Sequence, residues 1–236
     1  MNRKKLASAI VSCALTGFSL NAYAALVASG DIELIAPPTS VAAGATESDT
    51  LMRLFLEQES FALPSSLDAE VTAPATVSGG AGITPGAVAA GTVVSSYFLH
   101  FDTSLPNVAI TLAASITFDA PILGLMLFGS SLDASDLILG APGTTYPGAG
   151  DFFRGTAELT AGGDLVSLSN DMRTLNVQSR VSQIDGFSGI DQLRIVLAVP
   201  EPTPVPEPTT IGLLFAAMLG AGVAGRRKGA PQNAAT

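Results

Sequence analysis

Val108-Ala-Ile-Thr-Leu-Ala-Ala-Ser-Ile-Thr-Phe118 is the stretch of sequence that best indicates the fold class. In an extended chain, successive side chains point to opposite sides. One side of this stretch then carries Ile110, Leu112, Ala114, Ile116 and Phe118, and the other carries Thr111, Ala113, Ser115 and Thr117. This alternation predicts a β-strand with one buried face. Residues 192–199 alternate in the same way and predict a second such strand.

Similar short runs of Val, Ile, Leu, Phe and Thr recur along the chain, separated by turns rich in Gly and Pro. Short strands joined by such turns are typical of all-β domains. The predicted strands are Leu26–Ile35, Met52–Leu56, Thr92–Phe101, Val108–Phe118, Ile122–Phe128, Gly155–Thr160, Leu165–Leu168, Thr174–Val177 and Gln192–Val199. The predicted fold is all-β, a two-sheet antiparallel β-sandwich of jelly-roll-like type that occupies residues 25–198.

Three segments of this domain fit the strand pattern less well. Residues 51–61 alternate like a strand, although Ser48 or Asp49 could cap a short helix there; we expect a strand. Residues 71–90 consist mainly of Ala, Gly, Thr and Val without a clear period, so we expect a long loop. Residues 130–136 are expected to form a polar turn between two apolar strands.

The N-terminus has the three parts of a secretory signal peptide. A basic head at residues 3–5 is followed by an apolar stretch up to Leu20, and Ala22 and Ala24 are the small residues that signal peptidase requires. An uncleaved membrane anchor is the alternative. A lipoprotein site at Cys13 is disfavoured because the apolar run continues past it. Cleavage after residue 24 would remove the only cysteine, and with it any disulfide or thiolate metal site.

The exported part of the chain is strongly acidic. All 20 Asp and Glu lie between residues 25 and 208, together with five Arg and no Lys, so this stretch has a net charge of −15. Such a charge repels the phosphate backbone of nucleic acids. We therefore expect no nucleic-acid partner.

The C-terminus contains three successive segments of different composition. Residues 199–209 contain Val-Pro-Glu-Pro-Thr twice and form a Pro-rich spacer, because each Pro favours an extended predecessor. Residues 210–225 carry no charge, and as a helix they span about 24 Å, which predicts a transmembrane helix. The basic tail, residues 226–236, is expected to stay in the cytoplasm, which places residues 25–198 outside.

This arrangement closely resembles the PEP-CTERM sorting signal. The residues that carry the resemblance are Pro206, Glu207 and Pro208, the apolar helix, and Arg226, Arg227 and Lys228. The resemblance implies that an exosortase in the inner membrane of a Gram-negative-type bacterium recognises the tail and passes the protein to the cell surface or the extracellular matrix. It also implies an association with exopolysaccharide and biofilm formation. The segments 91–102, 115–124 and 189–194 are similar to PEP-CTERM ectodomains of unassigned function.

Candidate catalytic groups are few. His100 is the only histidine, and Asp102 would lie on the same side of a strand, but no nucleophile motif such as Gly-x-Ser-x-Gly accompanies them. Paired carboxylates would suit a glycosidase only at the required separations; the pairs are Glu57 with Glu59, Asp133 with Asp136, and Asp164 with Asp171. We predict a protein that is not an enzyme, with no catalytic residues. A carbohydrate-binding module and a secreted hydrolase are the alternatives.

The residue types bear on two kinds of ligand site, a sugar site and a Ca²⁺ site. Sugar sites usually stack rings on aromatic side chains, and only 6% of the residues are aromatic, with no Trp; the candidates are Tyr97, Tyr146, Phe152 and Phe153. Loop carboxylates suit Ca²⁺, and Asp133, Asp136 and Asp151 are the candidate ligands. We expect no cofactor, with a structural Ca²⁺ as the alternative.

Overall fold

The computed structural model describes residues 26–150, 154–156, 163–184 and 187–199. The chain divides into two units, residues 1–199 and 200–236, and every described residue belongs to the first. The predicted signal peptide, transmembrane helix and basic tail therefore lie outside the described residues, as do Ala22, Ala24, Pro206, Glu207, Pro208, Arg226, Arg227 and Lys228. Within the described part, no helix is both long enough and apolar enough to cross a membrane.

The described residues form thirteen β-strands and one α-helix. In chain order these are β1 (Leu26–Gly30), β2 (Ile32–Leu34), β3 (Met52–Ala62), β4 (Leu67–Ala69), β5 (Ala75–Ser78), β6 (Gly86–Val88), β7 (Val93–Phe101), β8 (Ala109–Phe118), β9 (Ile122–Met126), α1 (Gly129–Leu139), β10 (Leu165–Leu168), β11 (Thr174–Ile184), β12 (Phe187–Ser188) and β13 (Asp191–Ala198).

These strands form two large sheets and one small sheet. Sheet A has the order β1-β8-β11-β10-β5, with β12 paired to the end of β11. Sheet B has the order β2-β3-β7-β13-β9, and β4 pairs with β6 in the small sheet. Within the described strands, β2 and β3 are the one parallel pair. The prediction of a mainly β domain with antiparallel sheets is confirmed, apart from that pair.

The main hydrophobic core receives side chains from both large sheets. Leu112 and Ile116 of β8 belong to the same buried cluster as Leu99 of β7 and Ile195 of β13. The alternation predicted for β8 is confirmed, since Leu112, Ala114, Ile116 and Phe118 are buried, whereas Thr111, Ala113 and Thr117 are exposed. Strand β8 therefore buries one face and leaves the other largely in solvent.

β13 departs from the predicted pattern because both of its faces are buried. Leu193, Ile195 and Leu197 belong to the main core, as the alternation predicted. Val196 belongs to a second cluster on the opposite face of sheet B, together with Leu132 and Leu139 of α1. The expectation of one buried face is therefore wrong for this strand, because α1 and its neighbouring loops cover the outer side of sheet B.

The predicted strand 26–35 is divided into β1, in sheet A, and β2, in sheet B. Gly30 separates them with a φ of 91°, and a Cβ at this position would lie 2.4 Å from the carbonyl oxygen of Ala113. Glycine is required here because the neighbouring backbone approaches so closely.

Two strands are longer than predicted: β3 continues to Ala62 through irregular pairing with β7, and β11 continues to Ile184 along β8.

Two sequence-based expectations for loops are wrong. Residues 71–90 contain β5 and β6, which pair with β10 and β4 respectively. These strands are too short to show a clear alternation of apolar and polar residues, and they form because they pair with neighbouring strands. Residues 130–136 belong to α1 and not to a turn. The Ser and Asp residues of α1 favour turns in isolation, but here they form contacts that stabilise the helix. Of the predicted strand 155–160, only residues 155 and 156 are described, and Gly155 forms a bridge to Phe128.

Candidate functional site

A network of charged side chains lies between α1 and the outer face of sheet B. Arg194, on the interior strand β13 of sheet B, is fully buried at the centre of this network. Its Nε and Nη2 donate to Glu57 of β3 at 2.7 Å each, and Nη2 also donates to Asp136 of α1 at 2.9 Å. Nη1 donates to the hydroxyl of Ser135 and to the carbonyl oxygen of Leu132, at 3.3 Å. Every nitrogen of this guanidinium is thus hydrogen-bonded.

Two aromatic rings enclose the same guanidinium. Its carbon lies 5.0 Å from the ring centroid of Phe98 and 5.5 Å from that of Tyr146, distances that suit cation–π attraction. Burial opposes the charge on Arg194, but the carboxylates of Glu57 and Asp136 outweigh it and raise the pKa of the guanidinium. Arg194 is therefore a permanent cation inside the fold.

Glu57 is buried and accepts hydrogen bonds on both of its oxygens. In addition to the two bonds from Arg194, it accepts one from the hydroxyl of Ser96 at 2.6 Å and one from the hydroxyl of Tyr146 at 2.5 Å. Burial, followed by the charge of Glu57, raises the pKa of Tyr146 well above its usual value. The tyrosine thus remains a neutral donor, and Glu57 has no free lone pair directed at a substrate.

A second buried guanidinium, that of Arg154, extends the network. Its Nη1 donates to Asp133 and to Asp136 at 2.6 Å each, and its Nη2 donates to Asp136 at 2.9 Å. Its Nε donates to the side chain of Gln192 at 2.7 Å. Asp136 therefore contacts both arginines, and two guanidinium groups face three carboxylates.

Gln192 connects this network to His100. Its amide nitrogen donates to the carbonyl oxygen of Val41 at 2.6 Å and to Nδ1 of His100 at 3.1 Å. The other ring nitrogen, Nε2, lies 3.1 Å from the carbonyl oxygen of Ala45. Burial lowers the pKa of His100 to about 4, so the ring is neutral at pH 7, with its proton on Nε2. His100 is a hydrogen-bonded histidine on strand β7.

Asp102 does not orient His100, so the two residues do not form part of a triad. Its Oδ2 accepts a hydrogen bond from the backbone of Gly44 at 2.7 Å, while the buried Oδ1 has no partner. Burial raises the pKa of Asp102 to about 6. A buried carboxylate with one oxygen left without a partner costs stability when it is ionised.

An open groove of about 390 Å³ lies at the surface end of the network. Its lining includes Asp133, Asp136, Leu137, Thr144, Tyr146 and Pro147. The carboxylates that border the groove are the ones bound to Arg154, and the Tyr146 hydroxyl is bound to Glu57. The groove therefore offers little polar capacity that the protein does not already use.

The structure brings some of the predicted site residues together and separates others. Asp133 and Asp136 lie close together, and both form ion pairs with Arg154. Asp151, the third candidate Ca²⁺ ligand, lies outside the described residues. Binding of Ca²⁺ therefore stays a prediction. Among the described residues, no group of three or more His, Cys, Asp or Glu is placed to hold a metal ion. Glu57 is buried while Glu59 is exposed, so the two do not share an environment.

The remaining candidates also occupy separate places. Asp164 is buried and accepts from the backbone of Arg180, whereas Asp171 caps an exposed turn through Ser169. Tyr97 is buried in the main core, 5.4 Å from the ring of Phe118, so its face is not open to a sugar. Phe152 and Phe153 lie outside the described residues.

Sequence reasoning missed the two arginines at the centre of the network. A signal for Arg194 was present, because Leu193-Arg-Ile-Val-Leu197 places one charge inside an apolar strand. A charge in such a position requires a buried partner. No local pattern identifies Glu57 or Asp136 as that partner, since they come from distant parts of the chain.

Comparisons with known proteins bear on the C-terminus alone. The family model of the PEP-CTERM protein-sorting motif matches residues 204–228. No curated protein and no solved structure matches the chain. The matched residues follow the last described strand by a few positions.

Proposed function

Because this chain is a PEP-CTERM sorting domain-containing protein, we propose that it is a non-enzymatic protein of the bacterial cell surface or extracellular matrix, associated with exopolysaccharide in biofilms. The motif implies exosortase-dependent sorting of an exported protein. The observation that carries the proposal is the match at residues 204–228, with the basic cluster at its end. Signal peptidase and exosortase are the proposed processing partners, and the inner membrane is a transit site.

The composition of the exported part supports this proposal. With a net charge of −15 between residues 25 and 208 and its one cysteine in the signal peptide, it suits an oxidising, aqueous exterior. We further propose that residues 25–198 form a two-sheet sandwich, because both large sheets contribute to one hydrophobic cluster.

The non-enzymatic role is supported by the way the ionisable groups are used. Glu57, Asp136 and Arg194 bind one another, and both nitrogens of His100 have protein partners. General acid–base catalysis needs a group within reach of a substrate proton. These groups are placed instead to attach α1 to sheet B.

The sorting part of the proposal is tested by a pair of matched variants. Replacing Pro206, Glu207 and Pro208 with alanine should leave the protein in the inner-membrane fraction, because the exosortase no longer recognises the tail. The same replacement at Pro200, Glu201 and Pro202, the duplicate of the motif, is the control and should be sorted normally. Immunoblots of membrane, surface and medium fractions measure the outcome. Unchanged sorting of the first variant contradicts the proposal.

A further inference from the structure

The outer face of sheet A has an unusual chemistry for so acidic a protein. Strands β1, β8, β11, β10 and β5 contain no Asp or Glu, and Arg180 is their one charged residue. Most of the exposed side chains carry hydroxyl, amide or single methyl groups, and Val27 and Leu165 are the larger aliphatic ones. We call this surface the hydroxyl face, and its members are Val27, Ser29, Thr76, Ser78, Thr111, Ala113, Ser115, Thr117, Leu165, Ser167, Thr174, Asn176 and Gln178, with Arg180 opposite Thr111 on the same side of the sheet.

The strand register aligns these side chains in rows across the sheet. One row runs through all five strands and consists of Ser29, Ser115, Asn176, Ser167 and Thr76. Neighbouring members contact each other, since the hydroxyls of Thr76 and Ser167 lie 3.2 Å apart. In the adjacent row, the hydroxyls of Thr117 and Thr174 lie 3.1 Å apart. The result is a regular array of groups that both donate and accept hydrogen bonds.

A shallow groove of about 390 Å³ crosses this array. It is lined by Ser29, Ala113, Ser115, Leu165, Asn176 and Gln178, which come from four adjacent strands. Three strand spacings make the groove about 14 Å long. Ala113 provides a small floor, with the longer Gln178 and Leu165 beside it, so an extended chain lying across the strands fits its shape.

We infer that the hydroxyl face binds a neutral polysaccharide chain laid across the strands of sheet A; this inference rests on the proposed matrix function and names its surface and ligand class. Sugar hydroxyls are donors and acceptors, and the aligned Ser, Thr, Asn and Gln side chains offer the same pair of capacities at regular intervals. Arg180 is the one charged residue on the four strands that line the groove. Docking of a sugar chain therefore removes water from few charged groups, which keeps the desolvation cost low.

The charge distribution selects against other occupants. The surrounding domain is strongly negative, so it repels an anionic polymer, and the face carries no basic cluster to offset this repulsion. None of the residues of the hydroxyl face is aromatic, so a sugar chain is held here by hydrogen bonds and not by stacking on rings. A second copy of the chain carries the same net negative charge and is therefore a less suitable partner than a neutral sugar polymer.

Affinity electrophoresis of the full chain in detergent micelles tests the inference. Gels are cast with dextran, with hydroxyethylcellulose or with galactomannan as neutral probes, and with alginate as the polyanionic probe. We expect at least one neutral probe to retard the protein and alginate not to do so. Asn176→Asp places a charge at the centre of the face and should weaken the retardation about tenfold or more.

Two further variants separate binding from folding. Asn176→Gln keeps the amide and should retain most of the retardation, whereas Asn107→Asp makes the same change of charge at an exposed turn outside the face and should have no effect. Thermal unfolding of all three variants checks that they fold.

Several results would overturn the inference: no retardation by any neutral probe, retardation by alginate alone, or equal retardation of Asn176→Asp and the wild type. A dimer in sedimentation velocity that Asn176→Asp dissociates would assign the face to a second copy instead. Sorting is measured separately by fractionation of the Asn176→Asp variant, which should reach the surface normally. If the wild type is sorted normally but no neutral probe retards it, the inference fails and the proposed sorting function stands.

Discussion

Arg194 and Glu57 form a two-point ion pair in which both side chains are fully buried, with two nitrogen–oxygen distances of 2.7 Å. The pair joins two strands of sheet B that are not neighbours, since β7 lies between β3 and β13. Through Asp136, it also joins the sheet to α1. The pair therefore connects the centre of sheet B with the layer that covers it.

We expect Glu57→Gln to destabilise the domain strongly. The variant keeps the shape of the side chain but leaves Arg194 with half of its charge compensation, and breaking a buried pair in this way costs roughly 3–5 kcal/mol. Glu59→Gln is the matched control, because Glu59 is exposed two positions along the same strand; its effect should stay within about 0.5 kcal/mol. Urea unfolding followed by circular dichroism measures both. Equal stability of the two variants would show that the pair does not stabilise the fold.

The single histidine allows a direct test of its environment. Burial lowers the pKa of His100 from 6.5 to about 4, so its imidazole signal should not titrate between pH 8 and pH 5.5. In urea-unfolded protein the same signal should titrate near pH 6.5. Proton NMR resolves this signal without mutagenesis because the chain has one histidine. A folded-state midpoint above pH 6 would contradict the buried, neutral ring.

The same shift predicts a loss of stability in acid. The folded state disfavours the protonated ring, so the contribution of His100 is complete above pH 6.5 and is lost as the pH falls towards 4. The loss amounts to about 3 kcal/mol. His100→Gln should remove this part of the pH dependence, which is measured as the difference between wild-type and variant free energies of unfolding.

Asp102 should act in the opposite direction. Burial raises its pKa from 3.8 to about 6, so the folded state favours the protonated acid. Its contribution is complete below pH 3.8 and is lost as the pH rises to about 6, again by about 3 kcal/mol. Asp102→Asn should therefore become more stable relative to the wild type as the pH increases over this range. Asp68→Asn, which removes an exposed carboxylate, controls for the change in net charge. A constant difference between Asp102→Asn and the wild type at every pH would contradict the assignment.

Two glycines with positive φ provide a test of the junction between the sheets. Gly30→Ala should be destabilising by about 3 kcal/mol or more, because it combines a left-handed backbone with a Cβ placed 2.4 Å from the Ala113 oxygen. Gly44 has a similar φ of 80°, but a Cβ at this position would have no atom within 4 Å. We therefore expect Gly44→Ala to lower the free energy of unfolding by about 1 kcal/mol. Thermal melts compare the two. A similar cost for both variants would show that the close approach of Ala113 is unimportant.

Local pattern made most of the longer strands of both large sheets predictable, whereas β5 in sheet A and the helical cover of sheet B depend on contacts that the sequence does not display. β8 was predicted to within one residue because one of its faces is buried and the other is solvated. β10 was predicted at its observed ends for the same reason. On β13, burial of both faces removes the distinction on which the alternation argument depends.

The helix and the charge network were not predicted, for a related physical reason. α1 contains Ser131 and Ser135, whose hydroxyls bond back to the helix carbonyls, and the acidic Asp133 and Asp136. Its stability comes from Arg154 and Arg194, which approach from later in the chain. Helical propensity is a weak signal for a segment held mainly by such tertiary contacts.

The position of β13 also determines when the domain can complete its fold. It is the last described strand of the domain, yet it lies between β7 and β9 in sheet B, so that sheet cannot be completed until the chain up to residue 198 is available. Pairings over such long sequence separations form slowly. The matched sorting motif begins at residue 204, directly after this strand. A truncation that removes the tail therefore has to spare residue 198, because loss of β13 would take away the strand that lies between β7 and β9.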